Sequence, residues 1–273
     1  MSNFISRTLT GAVFVIAIIG SILWCHEAFS ALFFLITIAA ILEFYRLVNL
    51  RREVCVQMFP GLFSAGLLFV TAAAVSMDYL REELLFINLI IPVLITIWEM
   101  YRKTEKPFLN IAVTLLGVVY VGLPFAILNF FFNPEFIPGN YHPGVLLGFF
   151  VILWANDTFA FLTGITIGRT RLFERISPKK TWEGTIGGFI FGMAAAWVIS
   201  IYFTAFTLLE WLMMALLIMI FGTFGDLVES MFKRNLKVKD SGSLLPGHGG
   251  LLDRFDAVLL SAPAVFVYMI LIH

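Results

Sequence analysis

The chain has 273 residues, of which 60% are hydrophobic and 13% charged, with 30 phenylalanines and a mean hydropathy of +0.95. One soluble core of this size cannot hide so much apolar surface, so the composition excludes a soluble globular protein and points to an integral membrane protein. The 18 basic residues balance 18 acidic ones, a net charge of zero that says little by itself, and no nucleic-acid partner is expected.

A spanning helix needs roughly 20 apolar residues, and about nine such runs follow one another, at 9–24, 29–48, 56–77, 84–101, 108–132, 144–167, 185–206, 208–229 and 255–272. The expected fold is all-α and polytopic. The first run resembles a secretory signal in having Arg7 before an apolar stretch. Bulky Trp24 and the lack of a small-x-small site argue instead for a retained span. Cys25 and Cys55 fall at the ends of successive helices on opposite faces, so no bridge between them is expected.

Sorting the 18 Lys and Arg over nine alternating spans puts 17 on one side and leaves only Arg81 on the other. By the positive-inside rule the amino terminus is then cytoplasmic, and both large polar loops face the cytoplasm. Residues 1–140 carry no ligand cluster or phosphate loop and read as scaffold, while 141–273 carries the chemistry; the two are expected to form one continuous membrane domain.

The first chemical signal is Asn156-Asp157, in the middle third of the sixth run. An ionised aspartate there costs about 2.5 to 3.5 kcal/mol on insertion scales, so Asp157 is a functional candidate, the alternative being a protonated acid bonded to a neighbouring helix. Next, Ser177-Pro178 reads as an N-cap and first-turn pair, which would place Lys179 and Lys180 at a helix start suited to phosphate. Gly184, Gly188 and Gly192, four apart, give the following helix a smooth packing face.

At the end of the eighth run, Asp226, Glu229, Ser230, Lys233 and Arg234 fall at helical offsets that share one face if the helix continues that far. Asp253 and Asp256 lie three apart at the start of the ninth run. A glycine-rich loop containing Pro246-Gly247-His248-Gly249-Gly250 joins the two, so Asp226 and Asp253 are expected to converge on one ion. Helix capping by Asp253 is the plainer alternative.

The pattern Ser230-x2-Lys233-Arg234-x4-Lys239-Asp240, followed by Pro246-x-His248-Gly249-Gly250-x2-Asp253-Arg254-x-Asp256, resembles the signature of the phosphatidate cytidylyltransferases. Asp157 and the block Ser177 to Gly184 are similar to a second stretch of that family, and Phe161 stands where the family often has tyrosine. The resemblance covers about the last 130 residues well and the first 140 only in hydrophobicity.

The resemblance implies a reaction of CTP with phosphatidic acid that gives CDP-diacylglycerol and pyrophosphate, with Mg²⁺ required. It also admits a second, monovalent ion such as K⁺ on the same carboxylates. Asp226 and Asp253 are the expected Mg²⁺ ligands, with Asp256 or Asp157 completing or steering the site. Lys179, Lys180, Lys233, Arg234 and Lys239 would hold the triphosphate and the lipid phosphate, with Ser230, Asp240, Gly249, Gly250 and Arg254 as further substrate-binding positions. His248 is expected to orient through a hydrogen bond.

Two rivals are weaker. An ion-coupled transporter would use Asp157 and Asp226 for the coupling ion, and a CDP-alcohol phosphotransferase would need a spaced D-G…A-R…G…D…D helix motif that is absent. No G-x-x-x-x-G-K-[ST], G-x-S-x-G or H-E-x-x-H occurs either. Acyl preference, CTP against dCTP and oligomeric state are not written in these residues, and a homo-oligomer is compatible with them.

Overall fold

In the computed structural model, residues 2–51, 53–133, 141–242 and 249–272 are described, those at 2–10 by their backbone alone. The helices are α1 (Ser2–Trp24), α2 (His26–Val48), α3 (Met58–Ser76), α4 (Ile90–Arg102), α5 (Pro107–Gly117), α6 (Leu123–Ile127), α7 (Pro143–Ile167), α8 (Trp182–Tyr202), α9 (Leu208–Asn235) and α10 (Leu252–Ile272). A small antiparallel hairpin, β1 (Arg171–Phe173) with β2 (Ser177–Thr181), lies between α7 and α8.

Eight helical segments among the described residues are long and apolar enough to cross a membrane. They match eight of the nine apolar runs. The first run lies in α1, whose apolar part within the described side chains, Gly11–Trp24, is shorter. Two spans are composite. A 3₁₀ segment Glu82–Leu89 leads into α4, and α5 passes through a π-helical turn, Val118–Gly122, into α6 and a 3₁₀ end at Leu128–Phe132. The Tyr45 hydroxyl donates to the Thr114 carbonyl at 2.7 Å just before the π turn, the kind of side-chain intrusion that shifts a helical ladder.

Capping chemistry explains several boundaries. Thr207 and Glu210 form a reciprocal capping box that starts α9, which is how a loop of only Phe203 to Thr207 separates it from α8. Proline opens α5 and α7, where a missing N–H costs nothing. At its other end α9 runs on to Asn235, six residues past the apolar run, and carries the acidic and basic stripe with it.

Aromatic packing ties the two halves together. Phe33 of α2, Phe125 of α6 and Phe255 of α10 are each at most 1% exposed and meet edge to face, with centroids 5.1 to 6.1 Å apart. Phe255 lies between Asp253 and Asp256 in the chain, so its burial fixes the rotation of the first turn of α10. That rotation decides where the two acids point.

Candidate active site

The polar site forms where α7, the hairpin, α9 and α10 meet. Close backbone contact comes first. A Cβ on Gly225 of α9 would collide with the Asp256 carbonyl, whose carbon lies 3.0 Å away, and one on Gly222 would touch the Ala257 side chain at 3.4 Å. These glycines let α9 and α10 pack tightly, which seats Asp226 beside the turn that bears Asp256.

Helices α7 and α8 approach in the same way. A Cβ on Gly184 would meet the Ala160 carbonyl oxygen at 2.7 Å, and one on Gly188 the Asn156 carbonyl oxygen at 2.7 Å. On Gly192 it would meet the Met219 sulfur at 2.6 Å. The smooth face read from the four-residue spacing is therefore a packing seam, and it holds Asp157 near the hairpin.

Two ion-pair groups result. In the first, Lys180 Nζ lies 2.6 Å from Asp226 Oδ2, and the Ser230 hydroxyl donates to Asp226 Oδ1 at 3.2 Å. Asp157, held at 3.2 Å by the Asn156 amide, and Asp256 both lie within electrostatic range of Lys180 and Asp226. In the second, Lys233 Nζ bridges Glu229 Oε2 and Asp253 Oδ1, each at 2.6 Å. Asp253 Oδ2 also accepts from the backbone N–H of Ser241 at 3.1 Å and Gly250 at 2.9 Å.

The glycine loop is shaped by contact. Gly249 has φ of +82°, the left-handed region that glycine enters without strain. A Cβ on Gly250 would run into Ser241 Oγ and Glu43 Oε1. Glu43, 3% exposed and on α2, accepts from the Ser241 hydroxyl, from Leu251 N–H at 2.9 Å and from Leu252 N–H at 3.1 Å. It thereby satisfies orphan donors at the start of α10 from another helix.

The expected residues separate accordingly. Asp157, Lys180, Asp226, Ser230 and Asp256 share one group, and Lys233, Asp253, Gly249 and Gly250 the other. Among the described residues Asp226 and Asp253 share no ion-pair partner: each carboxylate is drawn to a different ammonium, and the two groups sit on successive turns of α9. Lys179, Arg234, Lys239, Asp240 and Arg254 are exposed around them. His248 lies outside the described residues.

The Ser177-Pro178 reading is corrected. Ser177 through Thr181 is strand, and the N-cap of α8 is Thr181, whose hydroxyl accepts from Gly184 N–H at 3.2 Å. Glu183 accepts from the backbone N–H of Arg169 and Thr170, each at 3.1 Å, which closes the hairpin and delays the helix. Lys180 thus reaches Asp226 from an extended strand.

Comparison with known proteins decides the relationship. The cytidylyltransferase family matches residues 5–272 of this chain. The chain is 32% identical to the phosphatidate cytidylyltransferase of Staphylococcus haemolyticus (strain JCSC1435) over 267 residues, 97% of this chain and 98% of that one. It is 33% identical, with the same coverage, to that of Staphylococcus aureus (strain COL). This chain belongs to the cytidylyltransferase family.

For this family member the donor set can be weighed against Mg²⁺. Five carboxylates, Asp157, Asp226, Glu229, Asp253 and Asp256, gather around Lys180 and Lys233, and buried Glu229 Oε1 has no hydrogen-bond partner. Such an excess of hard oxygen donors suits a divalent cation. Among the described residues no three acids, histidines or cysteines gather closely enough to hold a metal ion alone. Mg²⁺ fits that arrangement, because it is commonly held by one or two carboxylates while substrate phosphates and water complete its shell.

Glu43 is the residue that sequence reasoning missed. Its signal was present: it is an acid inside the apolar run 29–48, just as Asp157 is inside 144–167.

Proposed function

We propose that this chain transfers CMP from CTP to phosphatidic acid, giving CDP-diacylglycerol and pyrophosphate, with Mg²⁺ as cofactor. The observation that carries this reading is the pairing of Lys180 with Asp226 and of Lys233 with Glu229 and Asp253 at one end of the bundle. The names of the relatives from S. haemolyticus and S. aureus support the same activity.

In the reaction an oxygen of the lipid phosphate attacks the α-phosphorus of CTP, the bond from that phosphorus to the bridging oxygen breaks, and pyrophosphate leaves. A phosphate monoester is largely ionised at neutral pH, so no strong base is needed. What limits the step is repulsion between two anionic substrates, and positioning plus charge neutralisation supplies most of the catalysis.

Asp226 and Asp253, with Asp256 or Asp157 beside them, would hold the Mg²⁺, and Lys180 and Lys233, paired with these carboxylates at 2.6 Å, would hold phosphate oxygens of the two substrates. Mg²⁺ would supply neutralisation of the triphosphate. Lys179, Arg234 and Lys239, exposed at the rim, attract the incoming nucleotide. The positive-inside rule supports the reading that this end of the bundle faces the cytoplasm of a bacterial inner membrane.

The test is pyrophosphate release by detergent-solubilised protein. It should require CTP, phosphatidate and Mg²⁺ together and stop on chelation. Release without phosphatidate, or none with all three, would overturn the reading.

A further inference from the structure

A cavity of about 240 Å³ opens beside the second ion-pair group, between α2, α5 and the last turns of α9. Its walls are largely apolar, with Phe44, Val48 and Val113 among them, and Arg51, Glu229 and Lys233 are the charged residues that line it. Four buried side-chain polar atoms lack a hydrogen-bond partner among the described residues. Two of them, Tyr120 Oη and Glu229 Oε1, belong to residues lining this cavity. Glu229 is 4% exposed, and Tyr120 lies within its electrostatic reach, its ring edge-on to Phe232 at 5.5 Å.

An orphaned donor and acceptor beside an apolar space mark a site built for a ligand with both characters, since leaving either atom bare costs roughly 1 to 3 kcal/mol. From these observations we infer that this cavity seats the glycerol ester and the first part of one acyl chain of the lipid substrate, and so sets which diacyl phosphates the enzyme accepts. The inference rests on the activity proposed above.

The chemistry of the lining selects this occupant. The Tyr120 hydroxyl is a donor from which an ester carbonyl accepts, and the Lys233 ammonium in the lining takes the phosphate monoester. The Glu229 oxygen takes a water carried with that headgroup. At about 240 Å³ the space is smaller than the roughly 300 to 1,000 Å³ of a whole small-molecule site. The remainder of the lipid therefore stays in the bilayer. Continuity with the Lys233–Asp253 pair brings the phosphate to the carboxylates without the acyl chains leaving the apolar phase.

Two variants test the assignment. Val113→Trp puts a large ring into the cavity from α5 and leaves every charged residue in place; it should raise KM for a long-chain diacyl phosphatidate by about tenfold or more, leave KM for CTP unchanged, and affect dihexanoyl phosphatidate far less. Tyr120→Phe keeps the ring and removes the donor, and should raise KM for phosphatidate by about three- to tenfold.

A readout independent of turnover is retention of lipid in native mass spectrometry. The wild-type protein should hold phosphatidate in preference to phosphatidylglycerol of the same chains, and Val113→Trp should lose that preference. Equal retention of the two lipids by the wild type would reduce the cavity to a structural lipid site. Wild-type KM and retention in Val113→Trp would also overturn the inference. If the wild type retains phosphatidate selectively but releases no pyrophosphate, the activity reading fails while the lipid site stands.

Discussion

Lys180 and Lys233 are both ammonium groups bonded to carboxylates at 2.6 Å, yet their surroundings differ enough to separate their roles. The Lys180–Asp226 pair is partly open, with side chains 27% and 35% exposed, so it adds within about 1 kcal/mol to stability. Lys180→Ala should therefore leave the thermal midpoint almost unchanged while raising KM for CTP or phosphatidate by tenfold or more; an unchanged KM for both removes Lys180 from the site. Lys233 serves two carboxylates that are 5% and 13% exposed. Lys233→Met should lose activity and also roughly 3 to 5 kcal/mol of stability, because two buried acids are left facing each other. Thermal unfolding in detergent separates the two cases. The acids, lysines and glycines of this site were legible in the sequence because charge inside apolar runs is costly and conspicuous. Which lysine meets which acid was not legible, since that depends on the seam at Gly222 and Gly225 and on the burial of Phe255.

At the scale of elements, the apolar runs translated into helical segments whose ends lie within about seven residues of the runs, because most are bounded by charge or proline and the break between α8 and α9 by the Thr207 cap. The hairpin was hidden. Its strands span three and five residues, too short for a periodic signal, and Ser177-Pro178 carries the local chemistry of a helix start. The deciding contact runs from Glu183 back to Arg169 and Thr170, across 13 and 14 residues. Glu43 was hidden for a related reason: its partners Ser241, Leu251 and Leu252 lie about 200 positions away, and no spacing rule links them. Glu43→Gln keeps the volume but turns one acceptor oxygen into a donor against a backbone N–H. It should cost about 1 to 3 kcal/mol, lowering the midpoint by several degrees for a protein of this size, and should cut turnover as the Gly249–Gly250 turn loosens. An unaltered midpoint would show that α10 needs no support from α2.

For the whole molecule, the cations identify one end of the bundle. Arg51 of the segment after α2 donates to Asn235 at the end of α9, Arg102 at the end of α4 donates to the Cys55 carbonyl at 2.8 Å, and Lys106 pairs with Glu53 at 3.2 Å. Cys25 and Cys55 flank α2, a helix of 23 residues, which at 1.5 Å per residue is about 34 Å long. The two thiols are thus on opposite ends of one span, and their labelling reports orientation directly. In intact cells an impermeant maleimide should reach Cys25 and leave Cys55 unmodified until the membrane is opened. The reverse pattern would place the site outside.

The carboxylate at position 43 also bears on how the chain could be recombined. Although the paired lysines and carboxylates of the candidate site fall within 141–273, that stretch is not a self-sufficient cassette: the clasp on its glycine turn is donated by the second helix. Grafting it onto an unrelated hydrophobic anchor would preserve every lysine and aspartate of the centre and still leave the turn unfastened, unless the host supplied an acid at the same depth.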